Sequence, residues 1–144
     1  MTTALSSETV HASTVAIGGH AVMICGRPGS GKSDLALRLI DRGAILVSDD
    51  YTIVARSGDR LIASAPETIR GRIEIRGLGL VEMPSVSGVP IAFMIVVDAP
   101  VPRMPEPDET RVLAGLALPV IALAPFEEST PIKVEIALRK MAGA

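Results

Sequence analysis

The chain has 144 residues, 48% of them apolar and only 2% aromatic, with a formal net charge of −2. That length fits one domain with an aliphatic core. The small, unpatterned charge argues against a nucleic-acid or membrane surface, and the scarcity of aromatics argues against the base-stacking platforms of nucleic-acid binders. A single cysteine, Cys25, excludes an intrachain disulfide and points to a cytoplasmic protein. The opening MTTALSSETV has neither a basic run nor a long apolar stretch, so it does not read as a signal peptide. The longest apolar tract, 112–126, is interrupted by Gly115, Pro119 and Pro125 and is too short to span a membrane.

In chain order, STVAIGGHAVMIC predicts a β-hairpin that turns at Gly18-Gly19 and runs straight into a glycine-rich loop. KSDLALRLIDRG predicts a helix with Leu35, Ala36, Leu39 and Ile40 on its apolar stripe, an Asp34–Arg38 pair, and Gly43 as its stop. AILV predicts a short buried strand that ends in Ser48-Asp49-Asp50. The segments YTIVAR, RLIAS, RIEI and LGLVEM predict short strands, the first two joined by a turn at Ser57-Gly58-Asp59. PIAFMIVV, apolar without interruption, predicts a strand buried on both faces.

Residues 98–110 hold four prolines and predict a loop, either a surface crossover or a substrate lid. ALPVIAL predicts a further strand. A last helix is predicted with Thr130 as its cap, Pro131 at its first position, and Val134, Ala137, Leu138 and Met141 on its buried face. The order implies an α/β nucleotide-binding domain, richer in strands than a regular βαβ alternation and built on a mixed sheet.

The loop after the hairpin carries the most specific local chemistry. Gly26, Arg27, Pro28, Gly29, Ser30, Gly31, Lys32 and Ser33 match the glycine–four residues–glycine–lysine–serine spacing of a phosphate loop, with a strand before and a helix after. Glycines let the backbone curl so that its N–H groups meet phosphate oxygens at a helix N-terminus. Lys32 supplies a point charge for the β- and γ-phosphates, and the Ser33 hydroxyl is a natural Mg2+ ligand. This pattern identifies a nucleoside triphosphate but names no reaction.

Asp49 and Asp50 point to opposite faces while the strand continues, so both reach one site only where it ends. One carboxylate then holds the metal while the other accepts a hydroxyl proton, or one of the two simply opens a turn. With Gly18-Gly19 as the tip, cross-strand partners in the hairpin sum to 37, which sets His11 opposite Gly26 at the mouth of the loop. A histidine there bonds a catalytic carboxylate or senses the γ-phosphate, or is an exposed strand residue.

Taken together, His11 fifteen residues ahead of Gly26, the loop GRPGSGKS, the strand end LVSDD and IEIRGLGLVEM at 73–83 resemble the catalytic domain of the HPr kinase/phosphorylase family over roughly residues 8–142. The resemblance implies an ATP- and Mg2+-dependent protein serine kinase. Its acceptor would be a serine of HPr, the phosphocarrier of a bacterial phosphotransferase system. It implies that Gly26 through Ser33 bind the nucleotide, that Asp49 handles the acceptor proton with His11 as its partner and Lys32 beside it, that Ser33, Asp50 and Glu74 hold the metal, and that Arg76 lines the same region. It also implies a homo-hexamer.

The best-known members carry a further N-terminal domain, whereas these 144 residues read as a single catalytic domain. Where the family has an Arg- and Gly-rich loop linked to phosphate-dependent dephosphorylation, residues 124–130 read APFEEST, so the reverse reaction lacks its basic grip. Two other readings remain open from the sequence: a non-catalytic nucleotide sensor that regulates a partner, and a small-molecule kinase with the 98–110 loop as its lid.

Overall fold

Strands covered on both faces have no reason to alternate apolar with polar residues, and two strands at the centre of this molecule are of that kind. A computed structural model describes residues 6–105 and 109–141. Its elements are β1 (Ser7–Val10), β2 (Ala12–Ile17), β3 (His20–Cys25), α1 (Lys32–Asp41), β4 (Ile45–Ser48), β5 (Thr52–Ser57), β6 (Arg60–Ser64), a 3-10 turn (Glu67–Ile69), β7 (Arg72–Ile75), β8 (Gly79–Glu82), β9 (Val89–Val96), β10 (Thr110–Leu113), β11 (Leu116–Ala122) and α2 (Thr130–Met141).

Nine strands form one sheet in the order β1-β5-β6-β9-β3-β2-β4, with β11 also beside β9 and β10 beside β11; β7 and β8 form a separate hairpin. β3 and β11 run parallel to β9, while the remaining pairs are antiparallel. The fold is therefore α/β with a mixed, strand-rich sheet, as the element order predicts.

The two faces of β3 and β9 enter different cores. Val22, Ile24, Phe93 and Ile95 pack with Leu35, Ala36 and Leu39 of α1, Ile73 of β7, and Val134 and Leu138 of α2. Met23, Cys25 and Met94 cluster on the other face with Val54 of β5, Leu61 of β6, Leu113 of β10, and Leu118 and Val120 of β11. Helices thus cover one face and sheet strands the other. α1 ends where the Gly43 amide bonds the Ile40 carbonyl and the Ala44 amide bonds that of Leu39, with φ 108° at Gly43. Arg42 on α1 makes a two-pronged bond to Glu135 on α2, at 3.0 and 2.7 Å. The guanidinium holds the Glu135 carboxyl below its usual range.

The hairpin keeps its predicted register from Ile17↔His20 to Ala12↔Cys25. Three expectations are revised. Ser7–Val10 forms a strand that the sequence reading lacked, paired with β5 rather than with the hairpin. Thr110–Leu113 is likewise a strand, turned into β11 at Ala114-Gly115, both with positive φ. At the last helix, the Ser129 carbonyl takes the first helical bond, from the Lys133 amide, so the cap lies one residue earlier than predicted. The Thr130 hydroxyl instead donates back to the Ala124 carbonyl, and Met141 is exposed rather than buried. Residues 99–105 of the proline-rich segment are exposed, and 106–108 lie outside the described residues. Among the described residues no helix is long and apolar enough to cross a membrane.

Phe93 is the largest fully buried side chain and sits between the sheet and α1. Phe93→Ala is expected to cost about 3–5 kcal/mol, because a cavity adds to the lost transfer energy. Equilibrium denaturation with a shared slope measures it.

Candidate active site

The glycine-rich loop leaves β3 at Cys25 and closes where α1 begins at Lys32. Two of its glycines are required by close approach. A Cβ on Gly26 would stand 2.5 Å from the Ser30 hydroxyl and 2.8 Å from Val97. A Cβ on Gly31, whose φ is 104°, would stand 2.8 Å from the Phe126 ring. Ser30 Oγ is buried with no hydrogen-bond partner among the described residues. The Lys32 ammonium, nearly buried, donates to the carbonyls of Gly26 at 2.8 Å and Arg27 at 3.1 Å, so it lies along the rim of the loop. Pro28 and Gly29 are exposed, and the Arg27 side chain is 79% exposed beside Asp98, which accepts the Arg27 amide at 2.8 Å.

Asp49 and Asp50 occupy different environments although they adjoin in sequence. Asp49 is 7% exposed. Its Oδ1 accepts from the hydroxyls of Ser33, at 2.7 Å, and Ser13, at 2.9 Å; its Oδ2 accepts from the Glu74 amide at 2.9 Å. Asp50 has φ 71°, and the Tyr51 amide bonds the Asp49 carbonyl across it at 2.8 Å, which closes a three-residue γ-turn. That turn ends strand alternation and lets the second carboxylate face the same mouth as the first.

Asp50 Oδ1 lies 2.7 Å from His11 Nε2, and the Tyr51 ring stacks on the imidazole at 5.0 Å between centroids. Ser13 links the two acids, because its Oγ donates to Asp49 and accepts from the Asp50 amide at 3.2 Å. Below them, Thr52 bonds the Thr14 hydroxyl at 2.8 Å and the Ala12 carbonyl at 2.9 Å, which fixes β2 against the start of β5.

The site therefore gathers His11, Lys32, Ser33, Asp49 and Asp50, but pairs them differently from the expectation. His11 bonds Asp50, not Asp49. The hairpin register stops at Ala12, where the chain bends to join β5, so the imidazole meets the turn before Thr52 rather than Gly26. Ser33 bonds Asp49, not Asp50. Glu74 contributes its backbone N–H to Asp49 while its side chain is exposed, and Arg76 is exposed in the β7–β8 turn. Sequence reasoning missed Ser13 and Tyr51. A serine at the entry to an apolar strand, two residues after the histidine, was the available signal for Ser13, which the structure buries fully.

Among the described residues no three His, Cys, Asp or Glu side chains gather as a metal cage. The adjacent hydroxyl of Ser33 and carboxylate of Asp49 are hard oxygen donors. They fit the way Mg2+ takes one or two protein ligands and completes its shell with phosphates and water.

A mixed-sheet α/β domain with a glycine-rich loop between strand and helix, and paired acids at its mouth, defines the class. Within that class, the model of the HPr Serine kinase C-terminal domain matches residues 3–93, and the chain belongs to that family. Curated relatives include the HPr kinase/phosphorylase of Mycoplasmopsis pulmonis, 40% identical over 80 residues, which make up 56% of this chain and 26% of that protein. That of Chloroherpeton thalassium is 44% identical over 80 residues, 55% of this chain and 24% of that protein. The chain thus spans about a quarter of the length of the curated relatives it matches. Among solved structures, the HPr(Ser) kinase/phosphatase from Coxiella burnetii matches with a TM-score of 0.79 and 28% identity, over 94% of this chain and 96% of that one.

Burial pushes the Cys25 thiol, one residue before the loop, up from 9.0 to about 11; Arg111 and Lys32 oppose the shift and Asp98 adds to it. The folded state binds this proton more tightly than the unfolded state. The stabilisation is therefore complete below the unfolded value of 9.0 and is lost as pH rises through about 11. Denaturation of wild type and Cys25→Ala between those pH values is expected to show a downward slope in the wild type that is reduced in the variant.

Proposed function

We propose that the chain is the catalytic part of an ATP- and Mg2+-dependent protein kinase that phosphorylates a serine of an HPr-like phosphocarrier. The observation that carries this reading is the convergence of two pairs, Ser33–Asp49 and His11–Asp50, at the mouth of one phosphate loop. Asp49, against the serine of the loop, takes the metal side. Asp50 takes the acceptor side, which exchanges the two roles implied by family resemblance.

Bound at Ser33 and Asp49 with the triphosphate, Mg2+ supplies neutralisation of charge on the phosphoryl oxygens. The N–H groups from Gly29 to Ser33 and the N-terminus of α1 orient the β- and γ-phosphates. The Lys32 ammonium turns from the Gly26 and Arg27 carbonyls to a phosphate oxygen. Asp50 Oδ1 is engaged by His11, which leaves Oδ2 to accept the proton of the serine hydroxyl. The serine oxygen bonds to the γ-phosphorus, the bond from that phosphorus to the β,γ-bridging oxygen breaks, and ADP leaves. His11, held by the Tyr51 stack, stabilises and aims the carboxylate.

The 124–130 segment supports a forward kinase over its reverse reaction. Its carbonyls at Pro125 and Glu127 accept from Arg38, and the Glu127 carboxylate pairs with Lys133, so it presents no cationic grip for free phosphate. A cytoplasmic location and a homo-hexamer belong to the same reading, on the family alone.

Incubation with labelled ATP, Mg2+ and HPr from the same source is expected to place phosphate on a serine of HPr. Asp50→Asn, which tolerates the positive φ, should lower that rate about 10²-fold or more while ATP still binds. Asp49→Asn should raise the Mg2+ concentration needed for half-maximal rate. No phosphoserine on HPr from protein that binds Mg-ATP would defeat the assignment.

A further inference from the structure

Phe126 lies outside the residues matched by the family model and is one of only three aromatic residues in the chain. Its ring sits against Gly31, close enough that any Cβ there would meet two ring carbons at 2.8 and 3.0 Å, yet the residue is 68% exposed. The carbonyls on either side of it, of Pro125 and Glu127, both accept from the guanidinium of Arg38. Arg38 is itself fixed by Asp34, at 3.0 Å on the same helix. That helix begins with Lys32 at the end of the loop, so Arg38 ties the segment that bears the ring to the helix that follows the loop. The Thr130 amide and hydroxyl close the segment from the other side on the Glu127 and Ala124 carbonyls. An apolar ring held this firmly with its outer surface in water is a prepared contact rather than a core residue that failed to bury.

A nucleotide whose phosphates occupy residues 26–33 must send its ribose and base away from the loop past its edge. We infer that Phe126 is the stacking surface for the nucleobase, so that the loop selects a nucleoside triphosphate over a bare polyphosphate. One ring serves a mononucleotide, where a nucleic-acid strand would need several. The inference rests on the phosphate-loop reading above. Because a π-face is common to all bases, it gives affinity for nucleotides as a class and little choice among them.

Calorimetric titration of the 144-residue chain with Mg-ATP and, separately, with Mg-tripolyphosphate tests it. Phe126→Ala and Phe126→Leu are expected to weaken ATP binding about tenfold or more and to leave tripolyphosphate binding unchanged, while Phe126→Tyr retains wild-type affinity for both. Phe126→Leu keeps an apolar cover on Gly31, so it separates stacking from support of the loop. In Phe126→Trp the substituted position is the only fluorophore of its kind, and ATP but not tripolyphosphate should quench it. Unchanged ATP affinity in Phe126→Ala, or equal loss of both ligands, overturns the stacking role while leaving the loop as a phosphate site. Wild-type protein that takes up neither ligand overturns the phosphate-loop reading and the stacking role with it.

Discussion

One carboxylate holds the site together. Asp49 is nearly buried and accepts hydrogen bonds from Ser33 on α1, Ser13 on β2 and the Glu74 amide on β7. A charge removed from water must be fully satisfied, and each donor here comes from a different element. The helix of the loop, the hairpin and the separate β7–β8 pair are therefore all placed by the same two oxygen atoms. An exposed surface ion pair would be worth too little to impose such an arrangement. Loss of the carboxylate would leave three donors without an acceptor, so its importance for folding and for chemistry are linked.

Asp50 shows the opposite economy. It sits in a positive-φ turn that costs on the order of 1–3 kcal/mol for a residue with a side chain. The surrounding contacts over-determine that turn: the Tyr51 amide closes it, Ser13 accepts the Asp50 amide, and the Ser48 hydroxyl donates to the Tyr51 carbonyl. The strained geometry brings the second acid out of the strand plane and into contact with His11. Neighbouring acids thus acquire separate surroundings: Asp49 is desolvated and fully bonded, and Asp50 is half in water with a histidine as its partner.

Much of this was legible in the residues. The hairpin, the loop, α1 and the strands at 60–64 and 72–75 follow from periodicity and turn chemistry, because local preference and tertiary packing agree there. β1 and β10 were not legible. SETV and TRVL are four-residue strands with little apolar patterning, and each is fixed only by a partner that the local sequence does not reveal. The gathering of His11, the loop and both acids was predictable from the hairpin register and the strand end. Which acid met which partner was not. That depended on a bend at His11 and a γ-turn at Asp50, each of which shifts direction by one residue, and a single residue is enough to reverse a face. The role of the Glu74 main chain was hidden for a simpler reason: every residue but proline has an N–H, so no sequence pattern marks one.

Among the described residues, the β7–β8 hairpin is the one pair of strands outside the large sheet. Ile73 roots it in the helix-side core, with Ile75, Val81 and Met83 beside it, while Leu78 and Leu80 stand in solvent at 74% and 68% exposure. The finger is thus anchored at its base and unburdened at its tip. Its only hydrogen bond to the acids runs through a peptide group, which is the same for any side chain. A side-chain change at Leu78 or Leu80 therefore leaves both the apolar root and the peptide hydrogen bond at the base in place.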